Sequence, residues 1–191
     1  MAVDLTCVLA WKPTLESADL LMGLAAYGSE AAQAPGLRRF SMNTGEADDA
    51  LLLSPSSTGP MAMADADADA DGDLDLFVGG RVLPGRYPEN PNSRFFRNQN
   101  GRLERDVAGS RSLAGAGMIS GALFADLDAD GIPELVLAGD WGPLRIWQFR
   151  SGKWVPTNSP VRWAEASGRD AGQVKLGSLE ALTSWWNSVA A

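Results

Sequence analysis

Between Asp67 and Gly79 the chain reads D-A-D-A-D-G-D-L-D-L-F-V-G, an alternation of carboxylates that turns at one glycine and runs straight into an apolar segment. Like charges this dense repel one another, so the segment either stays solvated or gathers around a cation. The spacing favours the cation. Asp67, Asp69, Asp71 and Asp75 fall at positions 1, 3, 5 and 9 of a D-x-D-x-D-G-x-x-D frame, and the backbone carbonyl of Asp73 falls at position 7. This all-oxygen set suits a hard divalent ion, and calcium in particular. Gly72 at position 6 provides the positive φ that a loop wrapping an ion requires. The frame returns downstream, with Asp126, Asp128, Asp130 and Glu134 at positions 1, 3, 5 and 9 around Gly131, and Ile132 supplying the carbonyl of position 7. A disordered acidic tract would not repeat its frame. An EF-hand needs an acid at position 12 and flanking helices, whereas position 12 is Val78 in one loop and Leu137 in the other, both strand-like apolar residues.

The loops belong to a longer repeat. Asp19-Leu-Leu-Met-Gly23, Asp75-Leu-Phe-Val-Gly79 and Glu134-Leu-Val-Leu-Ala-Gly139 each place an acid before an apolar run that ends in glycine, recurring about every 60 residues. After each comes a second strand and a glycine turn: Leu37 to Met42 with Thr44-Gly45, Arg94 to Asn98 with Asn100-Gly101, and Leu144 to Arg150 with Ser151-Gly152. Third strands are expected at Ala50 to Leu53, Leu103 to Val107 and Trp154 to Thr157. In the first unit, Ala10 to Asp19 occupies the place of the calcium loop but keeps only Asp19, so this unit is expected to lack a metal site. Short strands and glycine turns at this period predict an all-β fold, a partial β-propeller of about three four-stranded blades; a β-sandwich is the alternative. Residues 1–58 then form a first blade with a degenerate loop, 59–117 and 118–180 two blades with calcium loops, and 181–191 the first strand of a truncated next blade. Three blades do not close a ring, so the chain is expected to be a fragment whose remaining blades lie in a parent protein. Apolar edges are expected near Leu5 to Ala10 and Trp185 to Ala191.

Composition narrows the chemistry. A net charge of -8 disfavours nucleic acid as a partner and leaves surplus carboxylate for cations. The chain contains no histidine, which removes imidazole zinc sites and the usual general base near neutral pH. Its single cysteine, Cys7, rules out an internal disulfide and is expected to be buried in its apolar run. No apolar run reaches the roughly 18 residues of a membrane span.

Several residues carry a resemblance. Thr58-Gly-Pro, the first acidic loop with L-F-V-G-G-R-V-L-P-G-R-Y-P to Pro88, Ser93-Arg-Phe-Phe-Arg-Asn98, Leu137-Ala-Gly-Asp-Trp-Gly-Pro-Leu144 and Ser184-Trp-Trp-Asn187 together resemble the bacterial FG-GAP/VCBS-repeat proteins of the ASPIC/UnbV and cartilage-acidic-protein group. The same repeat type builds the propeller of integrin α-subunits. The likeness runs from roughly Leu20 to Ala191. It implies a calcium-bearing propeller within a long exported or surface protein, whose loops bind proteins or glycans. Glu134 departs from the aspartate usual at position 9, and the first repeat has lost its loop.

Calcium loops of this kind fill at extracellular calcium levels, so an extracellular, periplasmic or cell-surface location is expected, with a signal peptide outside this chain. The leading functional expectation is a non-enzymatic binding, adhesion or scaffold module. Alternatives are a lectin-like propeller or the non-catalytic part of a polysaccharide-active enzyme. Arg81, Arg86, Tyr87, Asp140 and Trp141 follow the glycine-ended strands and are the candidate ligand contacts. For Arg86 and Tyr87 the competing reading is a tight turn set by Pro84-Gly85 and Pro88, with the arginine paired to a nearby acid. Trp147 and Trp154 are expected to wedge between blades, whereas Trp163 lies in a long irregular connection.

Overall fold

Leu76-Phe77-Val78 is apolar without alternation, a pattern that requires a strand covered on both faces. The computed structural model describes residues 4–13, 16–25, 36–51, 57–66, 72–140 and 142–157, and it places this run in the middle one of three sheets. The first sheet is β1 (Asp4–Trp11), β2 (Asp19–Ala25), β3 (Leu37–Ser41) and β4 (Ala47–Leu51). The second is β5 (Ser57–Ala64), β6 (Asp75–Val82), β7 (Arg94–Gln99) and β8 (Arg102–Asp106). The third is β9 (Ile119–Ala125), β10 (Glu134–Gly139), β11 (Arg145–Arg150) and β12 (Lys153–Thr157). Each is an antiparallel meander in chain order, and β1, β5 and β9 are the strands at which successive sheets meet.

Side-chain alternation along the middle sheet divides its core in two. Phe77 and Phe95 face the third sheet, where they join Leu135, Leu137, Trp147 and Trp154. Leu76, Val78 and Phe96 face the first sheet and meet Trp11, Leu21 and Leu37. Trp154 is the hub of the second junction: its ring meets Phe95 edge-on at 5.2 Å and Phe149 at 5.1 Å. On the outer sheets Leu5, Val8 and Leu123 remain exposed.

Polar contacts fix the same junctions. The buried Thr58 hydroxyl of β5 accepts the Leu24 N–H at 2.9 Å and faces the carbonyls of Leu24 and Gly36, joining the second sheet to the first. Cys7 is only partly buried; its thiol donates to the Gly59 carbonyl at 2.9 Å, and burial pushes its pKa up.

Two features depart from the sequence reading. β4, expected at Ala50 to Leu53, starts at Ala47 and stops at Leu51. β8, expected at Leu103 to Val107, runs from Arg102 and stops at Asp106, because a short helix, α1 (Val107–Ser112), follows at once. The Asp106 carboxylate accepts the Gly109 N–H at 2.8 Å, an N-cap that ends the strand and starts the helix. This helix links two sheets: Ser110 Oγ accepts the Phe95 N–H, and Ser112 Oγ accepts the Trp154 N–H. The hairpin turns fall where expected, with positive φ at Asn100 and Gly101 and again at Ser151 and Gly152, the type I′ pattern of two-residue loops.

The glycine that ends the apolar run has a packing cause. A Cβ on Gly79 would lie 3.0 Å from the Ile119 Cβ of β9 and 3.1 Å from the Pro60 carbonyl. Gly79→Ala is therefore expected to lower stability by about 1–3 kcal/mol through forced separation of the sheets. Gly121→Ala, whose Cβ would make ordinary contact with Ala138, is expected to stay within about 0.5 kcal/mol. Denaturant melts of the two variants check this, and equal losses would count against the close-approach explanation.

Candidate metal centre

The connection from β9 to β10 is short and acidic, and its backbone turns twice into the left-handed region, at Ala129 (φ 60) and Gly131 (φ 88). These turns fold the loop on itself until oxygens of Asp126, Asp128 and Asp130 all lie within 4.8 Å of one another. Loop amides hold the carboxylates in place. Gly131 N–H donates to Asp126 at 3.0 Å, Asp130 N–H to Asp128 at 3.4 Å, and Ile132 N–H to Asp130 at 2.8 Å.

The donor set fits a calcium ion. Oxygens on opposite sides of a calcium ion are separated by up to twice a Ca–O bond, about 4.6–5.2 Å, and the three carboxylates lie inside that span. Asp126 and Asp130 are exposed and Asp128 is partly exposed, so solvent reaches the group. Such an ion would neutralise the mutual repulsion of the loop.

Glu134, the expected fourth side chain, is not part of this group. It is buried at 4% exposure, and its carboxylate accepts the Leu127 N–H at 2.8 Å and the Gln148 side-chain amide at 3.2 Å. Gln148 also donates to Asp128 at 3.3 Å, tying β11 to both acids. Burial pushes the Glu134 pKa up, the Leu127 and Gln148 hydrogen bonds pull it down, and Asp128 and Asp130 push it up again.

The same position is buried in every sheet, with Asp19 at 2% and Asp75 at 3% exposure. Each acid draws a partner from the third strand of its unit. Asp75 accepts the Asn98 N–H at 2.9 Å, and Asp19 accepts the Arg39 guanidinium at 2.6 Å. Arg39 also sits over the Trp11 ring, 5.3 Å from its centroid. A side-chain cation thus meets Asp19, the one ligand position of the frame that the degenerate first loop keeps.

Of the first acidic loop, Asp67, Asp69 and Asp71 lie outside the described residues. Asp73 and Asp75 border it. The Asp73 side chain accepts the Asn100 N–H at 2.9 Å, and Asn98 Oδ1 accepts the Gly101 N–H, so the end of the loop is tied to the β7–β8 hairpin. Gly72 has the positive φ its position requires.

Among the candidate ligand contacts, Arg81 and Asp140 meet each other at 2.5 Å, joining the end of β6 to the residue after β10. Arg86 pairs with Glu89 in a turn in which Arg86 N–H donates to Leu83 and Glu89 N–H to Arg86. That is the turn reading of this loop, although Tyr87 stays exposed at its tip. Trp141, Trp163 and the 181–191 segment lie outside the described residues. The sequence reading missed Arg39, Asn98 and Gln148 as partners of the position-9 acids. For Arg39 and Gln148 the available signal was a polar residue inside the strand that follows the glycine-ended run, whereas Asn98 contributes a backbone N–H that no side chain marks.

Residues 67–137, from the first acidic loop through the start of β10, match the family of FG-GAP-like repeats. No curated protein and no solved structure gives a significant match. FG-GAP repeats are blades of β-propellers, and the three four-stranded meanders of this chain have that form, a partial β-propeller with the matched repeat spanning the second blade and the opening of the third.

Proposed function

We propose that this chain supplies calcium-bearing FG-GAP-type blades to a non-enzymatic binding, adhesion or scaffold module of a larger exported protein, akin to the ASPIC/UnbV group. The observation that carries the reading is the convergence of Asp126, Asp128 and Asp130 within 4.8 Å, inside the stretch that matches the repeat. Side-chain oxygens of these three and the carbonyl of Ile132 would hold the ion. Glu134 would brace the loop through Leu127 and Gln148, or turn inward to complete the shell. In the second blade, Asp67, Asp69, Asp71 and Asp75 with the Asp73 carbonyl would do the same. Calcium supplies charge neutralisation here and nothing catalytic.

The work left to this chain's residues is structural. With the carboxylates neutralised, the loop closes the first hairpin of its blade and presents the next strand to the core. A flexible loop with many oxygens at about 2.3–2.6 Å favours calcium over magnesium, which demands shorter, octahedral bonds.

Calcium at about 100 times its dissociation constant is expected to stabilise the protein by about 2.7 kcal/mol per site, several degrees in Tm for a chain of this size. Magnesium is expected to do little. Calorimetric titration should show two sites, one lost in Asp71→Ala and the other in Asp130→Ala. Identical melting in calcium and in chelator would end this reading.

The first blade behaves differently under the same proposal. Arg39→Met leaves the buried Asp19 carboxylate without its guanidinium and is expected to cost about 2–3 kcal/mol, with or without calcium. A loss that calcium restores would show that the first loop takes an ion after all.

A further inference from the structure

At the end of β10 remote from the acidic loop, the second and third blades enclose a cavity of about 300 Å3. Pro88 and Asn90 form one side of it, and Met118, Asp140, Pro143 and Arg145 the other. The volume is at the small end of small-molecule sites and suits a single sugar-sized ring. Glycines at 117, 139 and 142 also line it, so the ligand side of the backbone is not covered by side chains.

The charges around this cavity do not cancel. Asp140 is compensated by Arg81 at 2.5 Å. Arg145 is not compensated by an acid: its Nη1 donates to the carbonyls of Gly115 at 2.9 Å and Ala116 at 3.0 Å, and among the described residues no carboxylate forms an ion pair with it. Those two carbonyls occupy one nitrogen of the fork. Nη2 lies 3.9 Å from where a Cβ on Gly142 would stand, and Arg145 and Gly142 both line the cavity. A cavity-lining guanidinium whose hydrogen-bond partners are neutral carbonyls is matched best by a carboxylate, which it binds through charge-assisted hydrogen bonds.

The remaining lining groups specify what bears that carboxylate. Asn90 offers an amide that donates and accepts, and Asp140 offers acceptor oxygens, the pair of functions that vicinal hydroxyls require. Pro88, Met118 and Pro143 present apolar surface of the kind that covers the C–H face of a ring. We propose that this cavity binds a uronic-acid unit, with Arg145 on the carboxylate, Asn90 and Asp140 on the ring hydroxyls, and the two prolines with Met118 against the ring. The proposal rests on the reading of the chain as a binding module and adds the class of its ligand. The net charge of -8 opposes an anion at long range, but at physiological salt screening acts over about 8 Å, so the local guanidinium decides binding.

The test is calorimetric or NMR titration in calcium with three probes: galacturonate, galactose as its neutral counterpart, and acetate as the carboxylate alone. Galacturonate is expected to bind at least about tenfold more tightly than either. Equal binding of galactose would remove the role of Arg145, equal binding of acetate would remove the ring, and no binding of galacturonate would overturn the site. Arg145→Gln is expected to abolish the preference for galacturonate over galactose. Because Arg145 also secures the 115–116 turn, its melt is recorded beside it, and Asn90→Ala on the exposed loop serves as the second variant. That variant is expected to weaken galacturonate severalfold with unchanged melting, and an unchanged affinity would overturn the assignment. The calcium reading is scored separately by melting in chelator without sugar, so calcium-insensitive melting with intact uronate binding, or the reverse, tells the two failures apart.

Discussion

A buried carboxylate at the head of the second strand is the constraint that each blade has to meet. Asp19, Asp75 and Glu134 are almost wholly removed from water, and an ionised acid in that position is costly unless it is hydrogen-bonded or neutralised. Each blade answers from its third strand, by a guanidinium from Arg39, a backbone amide from Asn98 or a side-chain amide from Gln148. The answer ties the acidic connection to the following hairpin. It also fixes the register of the second and third strands, since a one-residue slip would turn Arg39 or Gln148 to the other face and leave the acid exposed to apolar neighbours. The three solutions differ in charge. Only the first brings a full positive charge, and it does so in the one blade whose loop has lost the acids at positions 1, 3 and 5 of the frame.

The junctions between blades set the second constraint. The middle sheet is apolar on both faces because each face is the core of a different junction, Phe77 and Phe95 on one side, Leu76, Val78 and Phe96 on the other. Close approach at the strands where sheets meet leaves no room for a Cβ at Gly79, and the Thr58 hydroxyl satisfies backbone groups of the preceding blade. Helix α1 adds a third kind of contact. Its serines cap amides of β7 and β12, so the connection between blades is itself part of the packing.

Most of this architecture was legible in the sequence. The acid, the apolar run and the terminal glycine recur at a fixed interval, and the strand and turn positions of all three blades follow from them within a few residues. The two-residue turns were legible because Asn-Gly and Ser-Gly at a strand end carry their own backbone requirement. The helix at Val107 was not, since a six-residue helix has too few residues for a periodic signal and rests on one N-cap, Asp106, whose identity as a strand end or a cap depends on where Gly109 lies. The convergence of Asp126, Asp128 and Asp130 was legible from their spacing, but the hydrogen bonds of Glu134 were not. Spacing places Glu134 in the frame; it does not show that one carboxylate oxygen takes the Leu127 amide of the loop while the other takes the Gln148 amide of the neighbouring strand, 14 residues away. Pairings such as Arg81 with Asp140 are set by how blades stack, which no local pattern encodes.

The two candidate sites of the third blade sit at opposite ends of one strand. β10 begins at Glu134 beside the acidic loop and ends at Gly139 on the lining of the cavity. Six residues of strand separate the ends by about 17 Å, so a cation at one and an acidic ring at the other would not touch, and at physiological salt they would be largely screened from each other. Their coupling would have to be mechanical. Between them β10 is held on one side by β9 and on the other by β11, which carries both Gln148 at the loop end and Arg145 at the cavity end. A change that loosens the loop would therefore reach the strand that carries Arg145. On this arrangement a cation bound at the loop would contribute to ligand binding by ordering β10 and β11, not by its charge.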